Sequence, residues 1–213
     1  MTVRPWFVAL GFVIGLMQVP PLLAEEFVLT ITDQHQQPLE NVVVELAGDN
    51  RETAPNTTPA VVDQVNKQFL PGLRVIQVGQ QVSFPNSDNI RHHVYSFSPA
   101  KPFELKLYAG KPKQPVLFDQ PGVVVLGCNI HDSMVGYIYI ARGQTAVSNA
   151  QGEARLQLEH LPDTVYVWHA NQAEGPEQRH LQTLHSNRTL IIPTVAPEPR
   201  DTFGAKFGAG SEP

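Results

Sequence analysis

The segment Cys128-Asn129-Ile130-His131-Asp132-Ser133-Met134 brings a thiol, an imidazole and a thioether within seven residues. This mixture of soft and borderline donors suits copper. Structural zinc sites use Cys and His and rarely Met, whereas Cu(I) and blue-copper sites use the thioether as well. A straight strand would send these side chains to alternating faces, so a loop must turn all three toward one point. A trigonal copper site needs a second imidazole, contributed by another strand so that the ion ties the sheets together. His92 and His93 are adjacent candidates upstream. Neighbours on a strand point to opposite faces. Only one of them can face the site, and the other points outward or holds a ligand in place by hydrogen bonding.

The elements that must position these residues read as strands. With 19 Pro and 16% charged residues, and Val recurring throughout, the composition favours strands joined by Pro/Gly turns. The apolar run Val123-Val124-Val125-Leu126 precedes the loop and follows the turn signal Pro121-Gly122. After the loop, Met134 to Ala141 is the strongest strand pattern, with Val135, Tyr137 and Tyr139 on one face and Ile138 and Ile140 on the other. Further strands are expected at Phe27 to Asp33, Asn41 to Leu46, Arg74 to Val78, Gln81 to Phe84, His92 to Phe97, and Val116 to Asp119. Phe103 to Tyr108 is another, with Phe103, Leu105 and Leu107 on one face. Ala154 to Leu158, Val165 to Trp168 and Thr189 to Ile192 follow, the first entered through the turn Asn149-Ala150-Gln151-Gly152. His180 to Ser186 fits either a short helix or a loop. Gly48 to Pro59 reads as a linker, and the tail from Ala196 has little to bury.

Residues 1–24 read as a secretory leader: Arg4, an apolar run from Trp6 to Val19, then Pro20-Pro21 and Ala24 before Glu25. The run is short against the roughly 20 residues of a membrane span, and an uncleaved anchor is the alternative. Cleavage leaves 189 residues of formal charge −6, from 213 minus 24 and −5 minus the charge of Arg4. It also leaves one Cys and one Met, Cys128 and Met134. An unpaired Cys in an exported protein calls for an explanation, and a metal ligand is a sharper one than a buried inert thiol or an intermolecular bridge. No basic cluster could neutralise a run of phosphates, which argues against nucleic acid. Lys101, Lys106, Lys111 and Lys113 read as a solvated charge run. No nucleophile elbow, His-Glu-x-x-His motif or phosphate loop is present, so a non-enzymatic role is expected. His35, His160, His169, His180 and His185 are scattered on turns and strand ends and are assigned to no metal.

The stretch from Phe69 to Ile140 resembles the cupredoxins, the plastocyanin, amicyanin and pseudoazurin group of blue copper proteins. The matching residues are Phe69, Pro71, Val78-Gly79, Val82, Phe84 and Asn86, then His92 and Val94, then Phe118 and Pro121-Gly122, and finally Cys128, His131, Met134, Gly136 and Ile138. The spacing Cys-x-x-His-x-x-Met is that of the amicyanin-like members. The Asn86-to-His92 spacing favours His92 as the ligand and leaves His93 where the family often has an Asn that stitches the ligand loops. His93 and Asn129 are the candidates to replace it. The resemblance implies one type 1 copper ion held by His92, Cys128, His131 and Met134. It further implies one-electron transfer through His131 to a periplasmic cytochrome or redox enzyme docking transiently. The whole chain also resembles bacterial periplasmic proteins grouped under methylamine utilisation. A copper carrier or sensor of the cell envelope is the alternative function.

The expected fold is all-β: a cupredoxin-like Greek-key β-sandwich over residues 61–141, with a small immunoglobulin-like β-sandwich built from the flanks. Residues 25–60 and 142–195 would supply that second sandwich, because Pro38-Leu39 before Val42-Val43-Val44 and the segment from Asn149 to Trp168 resemble carboxypeptidase regulatory-like domains. One enlarged sandwich with a shared core is the competing architecture.

Overall fold

The computed structural model describes residues 25–49, 57–112, 114–160 and 162–195. The expected leader, residues 50–56 of the linker, Lys113 and the tail lie outside them. Among the described residues the chain forms seventeen β-strands and no helix, so the fold is all-β.

One pair of sheets joins strands from the two ends of the described chain. β1 (Glu25–Thr32) pairs antiparallel with β14 (Glu153–Leu158) and parallel with β17 (Thr189–Ile191). β2 (Val43–Leu46) lies between β13 (Thr145–Val147) and β15 (Thr164–Trp168), and β16 (His180–Thr183) forms an edge beyond β15. The alternation in β1 is that of a strand with one buried face: Phe27, Leu29 and Ile31 point inward while Thr30 is exposed. They meet Val44, Leu46, Leu156, Val165, Val167 and Leu190 in one core. The turn before β14 closes as its sequence suggests. The Asn149 side chain accepts from the amides of Gln151 and Glu153, and Gly152 takes φ +74°, which favours glycine. The segment whose sequence fits a helix or a loop is a strand from His180 to Thr183, paired antiparallel with β15.

The second pair of sheets carries the candidate site. Its larger sheet has the order β6 (Leu73–Gln77), β12 (Val135–Ala141), β11 (Gly122–Gly127), β8 (His92–Ser96), β9 (Phe103–Tyr108). The facing sheet is β10 (Val116–Phe118), β7 (Gln80–Ser83), β3 (Ala60–Val61), and a hairpin of β4 (Asp63–Val65) and β5 (Gln68–Leu70) lies beside it in the chain. Phe69, Val82, Phe84, Val94, Phe118, Val124, Leu126, Ile138 and Ile140 fill a core of their own together with Cys128 and Met134. The expected face of β9 is corrected. Between the pairs Val94–Leu105 and His92–Tyr108 the register slips by one residue. This bulge turns Tyr108 toward the core, while Leu107, expected on one face with Phe103 and Leu105, is 49% exposed.

Gly136 shows how tightly this core is closed. A Cβ there would lie 2.9 Å from Cβ of Phe69, itself buried. Gly136→Ala is therefore an overpacking change, expected to destabilise the protein by about 1–3 kcal/mol in urea unfolding.

The two cores are bridged by a third. All four residues of β2 are buried, because Val44 and Leu46 face one core while Val43 and Glu45 face the other way. Val43 packs with Trp168, Val123, Tyr139 and Ala141, the last two on β12. At the edge of this cluster the Glu45 carboxylate accepts hydrogen bonds from Tyr139 Oη at 2.8 Å and from the amides of Arg142 and Gly143 at 2.8 and 3.0 Å. It is paired with the Arg179 guanidinium, which stacks on the Tyr166 ring. Burial, together with the Glu45 charge, pushes the Tyr139 phenol far above its ordinary range. Alkaline spectrophotometric titration should show a phenol that ionises only as the protein unfolds, and Tyr139→Phe should remove that late component.

Candidate metal centre

The loop expected to carry the donors is set by strand pairing. Gly127, the last residue of β11, pairs with Val135, the first of β12, so residues 128–134 leave the sheet as a closed loop. Inside it the Met134 amide donates to the His131 carbonyl at 2.9 Å, closing a turn over residues 131–134. Cys128 and Met134 are buried and His131 is half-buried. The second imidazole comes from β8. His92 opens that strand and is fully buried. His93 turns the other way, and its Nε2 meets Glu104 Oε1 at 2.9 Å.

The three donors converge. Cys128 Sγ lies 3.8 Å from His92 Nδ1 and 3.7 Å from His131 Nδ1, and all three ligand atoms lie within 4.8 Å of one another. The two imidazole rings are 4.9 Å apart, tilted by 56°. These separations test whether a metal fits. With metal–nitrogen and metal–sulfur bonds of about 2.0 and 2.3 Å, a 120° angle separates N from S by about 3.7 Å, and a tetrahedral angle by about 3.5 Å. Both observed distances are compatible with one ion bound by the thiolate and the two imidazoles. Among the described residues this is the grouping of three donors the fold provides. Met134 is buried in the same core, at the loop's closing end.

A polar layer surrounds His92. Its Nε2 meets Asp88 Oδ2 at 2.7 Å. Asp88 also accepts from the amides of Asn66 and Lys67, at 2.6 and 2.9 Å. The Lys67 amide, helped by His92 and the Asn66 amide and opposed by burial, holds the Asp88 carboxyl below the usual carboxylate range. Asn86 shapes the loop: its Nδ2 donates to the carbonyls of Ile90 and Tyr108, and its Oδ1 accepts from the Asp88 amide. Tyr108 donates to the Phe84 carbonyl, and burial pushes its phenol up to about 12. His131 is held below the ordinary imidazole range by burial and by the neighbouring His92 and Lys67 charges, with Asp88 opposing.

The fold and the donor set together define a class: an all-β protein with a His-Cys-His cluster able to hold a metal ion. Solved structures similar to this chain include cupredoxins. The novel purple cupredoxin from Nitrosopumilus maritimus is 22% identical over 38% of this chain and 98% of its own, with a TM-score of 0.34. The pseudoazurin from Sinorhizobium meliltoi is 24% identical over 38% of this chain and 72% of its own, with a TM-score of 0.31. The Cu-containing nitrite reductase from Thermus scotoductus SA-01 is 28% identical over 39% of this chain, with a TM-score of 0.37, and the match spans only 22% of the reductase. No protein-family model and no curated protein matches the chain.

Sequence reading did not single out Asp88, the Asn66-Lys67 turn, Glu45 or Arg179. A carboxylate four residues before a candidate His on the same loop was the available signal for Asp88.

Proposed function

We propose that this chain is a type 1 copper protein of the bacterial periplasm that passes single electrons between redox partners. His92, Cys128 and His131 would hold one copper ion, with Met134 as the fourth donor. The observation that carries this reading is the position of Cys128 Sγ at 3.8 and 3.7 Å from two imidazole Nδ1 atoms, close enough for one ion to bind all three. Copper supplies the one-electron couple between Cu(II) and Cu(I). The protein supplies a geometry acceptable to both oxidation states: Cys128, His92 and Met134 are locked in the core, so little moves when the electron does. Four donors would close the coordination shell and leave no open position for a substrate, which supports a carrier rather than an enzyme.

The half-buried His131 beside Ile130, which is 50% exposed, offers an edge of the centre to a partner. A periplasmic cytochrome or redox enzyme docking there through a small interface is the expected partner. Among the described residues no helix is long and apolar enough to cross a membrane. The leader supports export to the periplasm. We read the flanking sheets as an immunoglobulin-like domain, residues 25–60 with 142–195, into which the copper domain of residues 61–141 is inserted. Their separate cores support this reading.

The test is to load the full mature chain with Cu(II), record its visible spectrum, and cycle it chemically between oxidation states in the presence of a competing chelator. Electron transfer predicts intense thiolate-to-copper absorption that returns in each cycle with the metal retained. Weak colour and loss of copper on reduction would replace this reading with that of a copper carrier or sensor.

A further inference from the structure

We infer that Asp88 is a positioning residue of the metal centre: it grips the outer nitrogen of His92 and thereby biases the site toward Cu(II) over Cu(I). The inference rests on the copper reading above.

An imidazole has two nitrogens, and in the neutral ring one carries the proton while the other offers a lone pair. His92 Nδ1 faces Cys128 Sγ, and its Nε2 lies 2.7 Å from Asp88 Oδ2. The carboxylate can only accept. It therefore places the ring proton on Nε2 and leaves Nδ1 free to bind metal, fixing both tautomer and ring orientation.

The carboxylate is itself built into the fold. Its Oδ1 accepts from the Asn66 amide and its Oδ2 from the Lys67 amide. Those two residues form the two-residue turn of the β4–β5 hairpin, both with positive φ, +52° and +59°. This geometry aims successive amides at a single anion. From below, the Asn86 side chain fixes the Asp88 backbone. The imidazole is fully buried and the Asp88 side chain is 13% exposed, so water competes weakly for the contact.

An anion hydrogen-bonded at Nε2 makes Nδ1 a stronger donor, which favours the more highly charged ion. Removing it should weaken Cu(II) binding more than Cu(I) binding and raise the reduction potential.

The experiment compares the copper-loaded full mature chain with Asp88→Asn and Asp88→Glu, by voltammetry and by competition titrations of Cu(II) and Cu(I). Asp88→Asn should bind Cu(II) about 10–100-fold more weakly. If the whole loss falls on Cu(II), the potential rises by about 59–118 mV. Asp88→Glu should recover part of the shift. An unchanged potential in Asp88→Asn overturns the inference. So does a Glu variant shifted as far as the Asn variant, since that would trace the effect to the hairpin and not to the charge. Should Asp88→Asn fail to fold, nitrogen-15 NMR of the wild-type metal-free and Cu(I) forms decides. A His92 proton on Nε2, exchanging slowly with water, supports the inference, and a bare Nε2 overturns it. Because the metal-free form reports the same contact, a wild type that never develops thiolate-to-copper absorption would reject the copper reading without touching the Asp88–His92 contact.

Discussion

Cys128→Ser abolishes the visible absorption of the copper-loaded protein and lowers its copper affinity by more than the roughly 10–100-fold that loss of an outer hydrogen bond costs. The absorption belongs to charge transfer from the thiolate, and an alkoxide does not form in its place at neutral pH. The substitution has a second consequence that must be separated from the first. Cys128 is 3% exposed and packs among Val82, Phe84, Leu126 and Met134 in the core. A serine hydroxyl there loses the packing of sulfur, and burying it without a full hydrogen-bond partner costs about 1–3 kcal/mol. Urea unfolding of the metal-free forms measures that part alone. Spectra and copper titrations of the folded variant measure the ligand. A metal-free Cys128→Ser protein as stable as wild type, still showing an intense visible band with copper, would remove Cys128 from the site.

The candidate donors of the loop were legible in the sequence because their spacing is local. Cys128, His131 and Met134 fall between two apolar runs, and pairing of those runs as β11 and β12 forces the intervening residues into one loop. His92 was legible only through its motif, since strand alternation alone left His92 and His93 equal. The structure separates them by burial: His92 is enclosed, and His93 pairs with the exposed Glu104. What was not legible depends on backbone geometry or distant contacts. The Asn66-Lys67 turn lacks the glycine that usually marks two successive positive φ values. The bulge that exchanges Leu107 for Tyr108 leaves the alternating pattern of β9 intact on paper. Glu45 looks like the solvent-side residue of a half-buried strand, and its partner Arg179 is 134 residues away. A strand buried on both faces reads like one buried on one face until the second layer is known.

Removing Arg179 should therefore have the largest effect on stability. Arg179→Met leaves the Glu45 carboxylate, 2% exposed, without its cation. Breaking a buried pair by deleting one partner costs about 3–5 kcal/mol, and because the Arg179 side chain keeps 19% exposure the lower end applies. Replacing both members with apolar residues often restores stability in other proteins. Here it should not, because Glu45 also accepts from the amides of Arg142 and Gly143, at 2.8 and 3.0 Å. Orphaning the buried Gly143 donor costs about 1–3 kcal/mol, and the part-buried Arg142 amide adds less. Glu45→Gln in the Arg179→Met background removes the stranded charge and keeps a carbonyl oxygen for the two amides. It should thus recover stability that Glu45→Leu in the same background does not, and urea unfolding of the four proteins ranks them. The position of the pair adds a second readout. Glu45 on β2 joins Tyr139 of β12 and the chain leaving β12, where the two sandwiches meet, away from the metal loop that precedes β12. If the sandwiches fold as one unit through this junction, the tryptophan and visible-absorption transitions of the copper-loaded protein shift together in Arg179→Met. If the junction is all that couples them, the transitions separate, with the flanking core around Leu29 and Val167 melting first while the copper absorption persists.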